Sequence, residues 1–110
     1  MAGELIVLVT CPAASSDQLA KVIVGEGLAA CVNIVRQVTS VFSWEGKICS
    51  ESEELLMIKT HHRCWEKLRD RVKELHSYDI PEIVAIHLAD GYKPYLDWLN
   101  LVLQPPARDI

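Results

Sequence analysis

The hydrophobic and polar positions of residues 31–60 alternate in a way that predicts two long strands. This stretch is rich in Val, Ile, Thr and aromatic residues, which suit a pleated strand. Glu45-Gly46 is its only tight-turn signal, and Gly46 can adopt the positive φ that a two-residue hairpin needs. Two strands of about 13 residues each, at ~3.3 Å per residue, would be roughly 43 Å long. The average strand has only about 5–6 residues, so the hairpin tip should extend beyond its sheet.

The remaining apolar positions predict two more strands and three helices. Ser15 and Gln18 have the spacing of a capping box, so the first helix is expected to begin there. Pro94 suits the first turn of the last helix, and Pro105-Pro106 should end it. The expected elements are strands over residues 4–10 and 82–88, and helices that begin at residues 15, 62 and 93.

The order β-α-β-β-α-β followed by a helix predicts an α+β protein with a ferredoxin-like fold, the split βαβ arrangement. Both connecting helices should cover one face of a four-stranded antiparallel sheet, so the other face should be polar at every second position. It is not, because Ile6 and Leu8 alternate with Leu5, Val7 and Val9. A sheet that is apolar on both faces has to be covered on both. The pattern therefore predicts self-association, which would also give the hairpin tip a surface.

Composition favours one small domain over residues 1–110 and excludes some partners. Half of the 110 residues are hydrophobic, and the net charge is −4. Without a basic cluster, neither nucleic acid nor an anionic membrane surface is an expected partner. The apolar run from Leu5 to Val9 is too short for a signal peptide or a membrane span. We therefore expect a cytoplasmic protein whose four cysteines are reduced.

Several motifs, in order along the chain, resemble one known family. They are Thr10-Cys11-Pro12, residues 28–34, Trp44-Glu45-Gly46-Lys47, residues 52–60, His76-Ser77-Tyr78 and Tyr95-Leu96-Asp97-Trp98. Together they are similar to the CutA divalent-cation tolerance proteins over roughly residues 4–103. The chain departs from the family at Ser77, where the family usually has proline. The resemblance implies a ferredoxin-like fold, a homotrimer and a link to copper and other divalent cations. It implies no catalytic reaction, so we expect no enzyme and no catalytic residue.

Three residues are candidates for a metal site. Cys11 follows the end of a strand and offers a thiolate, and His76 in a loop offers an imidazole, both of which suit copper. Two ligands do not close a site, so Glu82 or a neighbouring subunit would have to contribute. The alternatives are that Cys11 is a small packed residue and that His76 is an ordinary surface histidine.

Lys59 ends an apolar strand and Glu82 begins one, so both charges need partners. One interpretation is a polar cleft at the border between subunits, formed by Lys59, Tyr78 and Glu82. The other is a simple salt bridge between Lys59 and Glu82. The sequence alone leaves both open.

Aromatic residues near the hairpin tip predict contacts between subunits. Phe42, Trp44 and, on the last helix, Trp98 are the residues that we expect at the trimer interface. The acidic residues of the hairpin are expected to form a solvated strand edge that discourages further pairing. These acidic residues are Glu51, Glu53 and Glu54.

Three classes of function compete. The first is a homotrimer that binds or responds to divalent cations, and the second is a trimeric scaffold or signalling protein that binds partner proteins without a metal. The third is a Cys-His enzyme with Cys11 as its nucleophile, which would need a histidine base and an orienting group. No nucleophile elbow or Gly-rich loop supports the third class, so we favour the first.

Overall fold

The computed structural model describes residues 3–105, which form one four-stranded antiparallel sheet and three helices. The elements follow the predicted order along the chain. They are β1 (Glu4–Cys11), α1 (Ala13–Gly25), β2 (Cys31–Trp44), β3 (Lys47–His61), a 3-10 turn (His62–Cys64), α2 (Trp65–Leu75), β4 (Ile83–His87) and α3 (Lys93–Val102).

The strand order in the sheet is β2-β3-β1-β4. β1 pairs antiparallel with both β3 and β4, and β2 pairs antiparallel with β3. β1 and β2 are therefore parallel with β3 between them, and β3 and β4 are parallel with β1 between them. Each connecting helix joins two parallel strands that another strand separates, which places β1 and β3 at the centre.

One face of the sheet is covered by α1 and α2. The register pairs Val7 with Ile58 and Val9 with Leu56, and all four of these side chains are fully buried. They pack in one cluster with apolar side chains of the two helices. Complete burial of such a side chain stabilises the fold by about 1.5–3 kcal/mol. The helix residues in this cluster are Leu19, Ile23, Leu68 and Val72.

The opposite face, called here the outer face, is also apolar. It carries the residues that alternate with the core positions of β1, β3 and β4. Ile86 of this face is 52% exposed and Val84 is 46% exposed. The structure thus has the two-sided apolar sheet that the sequence pattern predicts, and α1 and α2 cover only one side. The outer face comprises Ile6, Leu8, Leu55, Met57, Val84 and Ile86, together with the polar residues Thr10 and Lys59.

The long hairpin has the predicted turn. β2 ends at Trp44 and β3 begins at Lys47, and the two turn residues have positive φ, 51° at Glu45 and 77° at Gly46. Such φ angles at both central residues match the twist of the flanking strands. β1 pairs with β3 only as far as Glu54, so residues 38–53 form a two-stranded ribbon beyond the sheet.

Three expected helix boundaries were wrong, one of them the start of α2, which lies at Trp65 after the 3-10 turn His62–Cys64. α1 begins at Ala13, and Pro12 occupies its N-cap position. Ser15 does not cap the helix, because its hydroxyl donates to the carbonyl oxygen of Pro12 at 3.0 Å. α3 ends at Val102, so Pro105 does not define its end, and Pro106 lies outside the described residues.

The last helix closes a second, smaller cluster. Leu99 and Leu103 pack with Ala30 and Cys64, which joins α3 to the start of β2 and to the turn before α2. Within residues 3–105, no helix has both the length and the apolar character needed to cross a membrane.

Candidate functional site

His76 lies at the end of the sheet where β1 finishes. Its Nε2 is 2.8 Å from the carbonyl oxygen of Thr10, and its Nδ1 accepts the backbone N–H of Tyr78 at 3.1 Å. A carbonyl oxygen only accepts, so these partners assign the proton to Nε2 of a neutral ring. Both ring nitrogens therefore have partners. A metal ion would reach His76 only after one of these hydrogen bonds is broken.

Cys11 is fully buried beneath α1 and lies opposite Glu54 in the sheet. Burial raises the pKa of the Cys11 thiol, the nearby charges of Glu54 and Glu53 raise it further, and a hydrogen bond with Ser15 acts in the opposite direction. The thiolate is the form that binds metals and attacks electrophiles. This position fits a packed thiol better than a ready ligand or nucleophile.

Tyr78 joins the same end of the sheet to β3. Its hydroxyl donates to Oε2 of Glu53 at 2.9 Å, and its ring lies 4.7 Å from the ring of His76 between centroids. Burial, followed by the Glu53 carboxylate, raises the pKa of Tyr78 to about 12. The phenol is therefore neutral over the physiological range and acts as a hydrogen-bond donor.

Lys59 and Glu82 do not join this group within one chain. Lys59 lies opposite Ile6 and Cys31, and along β3 it is roughly 20 Å from Glu53 at ~3.3 Å per residue. Glu82 is exposed, just before β4. No ion pair joins Lys59 and Glu82 in the part of the chain that the structure describes. The predicted cleft needs a second subunit to supply one side, and it stays a prediction.

The predicted metal ligands do not form a ready site in a single subunit. Among residues 3–105, no three or more His, Cys, Asp and Glu side chains are grouped so that they could hold a metal ion. Cys11 is buried, His76 is engaged at both nitrogens, and Glu82 faces solvent. As arranged here, these three residues do not fit copper without a change of conformation or a contribution from another chain.

The expectation of a solvated acidic edge was wrong for two of its three residues. Glu51 is exposed, but Glu53 is 6% and Glu54 is 5% exposed. Glu54 accepts a hydrogen bond from the Ser16 hydroxyl and another from Nη1 of Arg36 at 2.7 Å. Because these partners lie far away along the chain, no local sequence signal pointed to them.

The aromatic residues predicted at a subunit interface are accessible in the single chain. Phe42 and Trp44 are two residues apart on β2, so their side chains lie on the same side of the ribbon. Both are partly exposed. Trp98 is also partly exposed and lies against Tyr95, with ring centroids 5.6 Å apart. These surfaces are available for contacts, and their place in a trimer interface stays a prediction.

The fold and its surfaces define a class of protein: a small α+β protein with a long projecting hairpin and an apolar outer sheet face. Comparison with known proteins adds the family. The family model described as "CutA1 divalent ion tolerance protein" matches residues 5–101. The chain therefore belongs to the CutA1 divalent ion tolerance protein family, which confirms the resemblance found in its motifs.

Individual relatives agree with this assignment. The chain is 47% identical over 98 residues to the divalent-cation tolerance protein CutA of Thermus thermophilus, covering 88% of this chain and 95% of the relative. It is 48% identical over 98 residues to the chloroplastic protein CutA of Arabidopsis thaliana, covering 88% of this chain but only 54% of that protein. The chain thus spans about half the length of the Arabidopsis relative.

Solved structures of the family share the architecture. The crystal structure of CutA1 from Oryza sativa superimposes with a TM-score of 0.91 at 41% identity, covering 94% of this chain and 95% of that one. The structure from Thermus thermophilus gives a TM-score of 0.90 at 45% identity, covering 92% and 99%. The four-stranded sheet, the hairpin and the three helices are therefore the architecture of this family.

Proposed function

We propose that this protein is a non-enzymatic homotrimer that takes part in tolerance or response to divalent cations, copper among them. The observation that carries the proposal is the outer face of the sheet, which is apolar and partly open to solvent in the single chain. The family supplies the link to divalent cations.

Self-association would bury both unusual surfaces of the chain. The outer face offers an apolar surface that is partly open to solvent, and the ribbon carries Phe42 and Trp44 well beyond the sheet. An isolated two-stranded ribbon is marginal in water, so packing on a second copy would stabilise it. We assign the sheet the ferredoxin-like topology from its strand order and its two split β-α-β units.

The number of subunits comes from the family resemblance alone. Light scattering at micromolar concentration should give a mass of about 37 kDa, three times the chain mass of 12.4 kDa. A stable monomer under these conditions would refute self-association, and a stable dimer would refute the number three.

We place copper binding at Cys11 and His76, with Glu82 or a neighbouring subunit as a further ligand. The bonds that hold His76 must open first, so affinity should depend on assembly. Ligands must also lose their protons to bind a metal, so binding should weaken as the pH falls. When bound, copper would be cargo or a signal in this proposal, since no catalytic role is proposed for any residue.

Calorimetry with copper tests this assignment on the parent protein and on three variants. Cys11→Ser and His76→Ala should bind copper at least about tenfold more weakly than the parent. Cys49→Ser, which removes a half-buried thiol of the ribbon, should bind like the parent. Parent-like binding by both Cys11→Ser and His76→Ala would move the site elsewhere.

A trimeric scaffold or signalling protein without a metal role is the second candidate. One specific observation favours it, because Cys11 is buried and both nitrogens of His76 are engaged. It would replace the copper proposal if the parent binds no more copper than an unrelated protein with surface histidines. In either case we propose a cytoplasmic protein that works without nucleic acid or membrane and has a possible protein partner.

A further inference from the structure

The base of the ribbon contains a β-bulge at which the hairpin can bend. Between the pairs Val35–Leu55 and Val38–Glu53, β2 has two residues and β3 has only Glu54. The extra residue of a bulge interrupts the ladder, bends the strand and increases its twist. One of the two residues, Gln37, has a φ of 60°. The direction of the ribbon is therefore decided at this point.

Arg36, the other residue of the bulge, connects it to the body of the protein. Its Nη1 donates to Glu54 at 2.7 Å, and its Nη2 donates to Asp17 of α1 at 3.2 Å. The Ser16 hydroxyl, also on α1, donates to the same oxygen of Glu54 that Arg36 binds. The Glu54 side chain is only 7% exposed, so its bonds are poorly screened by solvent. Helix, bulge and opposing strand thus meet at one buried carboxylate.

The length of the ribbon makes its direction sensitive to this junction. From Val38 to Trp44 the strand extends roughly 20 Å at ~3.3 Å per residue. A turn of about 20° at the bulge, similar to the twist between neighbouring strands, would move Trp44 by roughly 7 Å. Such a displacement exceeds the tolerance of close-packed side chains.

We propose that Arg36, Glu54 and Ser16 form a latch that fixes the direction of the ribbon and thereby controls whether subunits assemble. The part that concerns assembly rests on the proposed self-association, whereas the part that concerns ribbon direction does not. Arg36 is a positioning residue here: it holds Phe42 and Trp44 where a neighbouring subunit can receive them, and it need not touch that subunit itself.

Arg36→Met tests the latch, because it keeps the long aliphatic stem and removes the guanidinium. Arg69→Met is the matched control: the Arg69 side chain is 45% exposed against 53% for Arg36, and it pairs with Asp70 on α2, away from the ribbon. Two readouts are needed. Amide hydrogen exchange compares residues 38–53 with β1, and sedimentation at several protein concentrations gives the dissociation constant of the assembly.

Arg36→Met should speed exchange in residues 38–53 at least about tenfold, leave β1 unchanged, and raise the dissociation constant by a similar factor. Ser16→Ala should have the same pattern with a smaller amplitude, since Arg36 still binds Glu54. Arg69→Met should change neither readout.

Three results would overturn the latch. The first is amide exchange in residues 38–53 of Arg36→Met within twofold of the parent rate. The second is exchange in β1 of Arg36→Met that is faster by the same factor as in residues 38–53. The third is a change in Arg69→Met as large as that in Arg36→Met. A parent that is already monomeric would refute the proposed self-association instead, and the exchange of residues 38–53 would still decide whether Arg36 fixes the ribbon. If the ribbon loosens and the dissociation constant does not move, the latch does not control assembly.

Discussion

The two faces of the sheet are built from nearly the same kinds of residue and have opposite surroundings. Val7 and Ile58 on the covered face are fully buried, whereas Ile86 on the outer face is 52% exposed. Because successive strand residues point to opposite faces, the sequence shows which residues share a face of the sheet. It does not show which face the helices cover when both faces are apolar. The difference shows that the sequence encodes more apolar surface than one chain can cover.

The largest expected effect comes from placing a charged residue on each face of the sheet in turn and comparing the two variants. Val7→Asp puts a carboxylate with no partner into the core, which should prevent folding at room temperature because desolvation of an unpaired charge is so costly. Far-UV circular dichroism should show loss of the native spectrum.

Ile86→Asp is the counterpart on the outer face. It should leave the spectrum native and lower the mass in light scattering to that of one chain. A folded Val7→Asp protein, or an Ile86→Asp protein of unchanged mass, would remove the distinction between the faces.

The next effect concerns the two sides of the ribbon. Trp44→Ala should cost about 3–5 kcal/mol of unfolding free energy in the assembled protein, if a neighbouring subunit completes the burial of its indole. Urea unfolding at fixed protein concentration measures the change.

Ile48→Ala is the control for Trp44, because Ile48 lies on the other side of the ribbon and is 78% exposed. Its substitution should change the free energy by less than about 0.5 kcal/mol. If the two variants unfold alike, the aromatic side of the ribbon has no special role.

A smaller effect compares two cysteines. Cys11 on the covered face is fully buried and its pKa is raised, whereas Cys49 on the ribbon is partly exposed. In the Ile86→Asp protein, whose ribbon should not be covered by a neighbour, iodoacetamide at pH 7.5 should modify Cys11 at least about tenfold more slowly than Cys49, since the thiolate is the reactive form. Intact and peptide mass spectrometry gives both rates. Rapid labelling of Cys11 would instead support the third class of function, a Cys-His enzyme with Cys11 as its nucleophile.

The smallest effect concerns Tyr78, whose hydroxyl donates to Glu53 at the base of the ribbon. Its pKa is raised from 10.0 to about 12, so the neutral phenol contributes stability below pH 10 that is lost as the pH rises from 10 towards 12. The parent should therefore lose slightly more unfolding free energy over this range than Tyr78→Phe. Equal slopes for the two proteins would mean that neither the burial of the phenol nor its hydrogen bond to Glu53 is maintained in solution.

Much of the fold could be predicted because its signals are local. The turn at Glu45-Gly46 follows from the conformational freedom of Gly46, and α2 over residues 65–75 lies within the helix that the apolar spacing predicts over residues 62–75. The start of α1 could not be predicted in the same way, because Ser15 donates to Pro12 instead of accepting from the helix.

The candidate site was harder to predict because its contacts are distant along the chain. Glu54 was expected in solvent, yet it is buried by Arg36 and Ser16, which a sequence pattern cannot place beside it. His76 and Cys11 were identified as the right residue types for a soft metal, but composition cannot show that both are already engaged or buried. Lys59 and Tyr78 were expected in one cleft, but Tyr78 bonds to Glu53, which lies six residues from Lys59 along β3.

The bulge at Arg36 and Gln37 has a consequence for the symmetry of any assembly. A ribbon on one copy that packs on the sheet of the next makes a head-to-tail contact, which either closes into a ring or continues as an open filament. The rotation between neighbours decides between the two outcomes, and here that rotation depends on the angle at which the ribbon leaves the sheet. In the proposed assembly, a ribbon that left the sheet at another angle would set another rotation between neighbours, so the two residues opposite Glu54 bear on whether that contact closes into a ring.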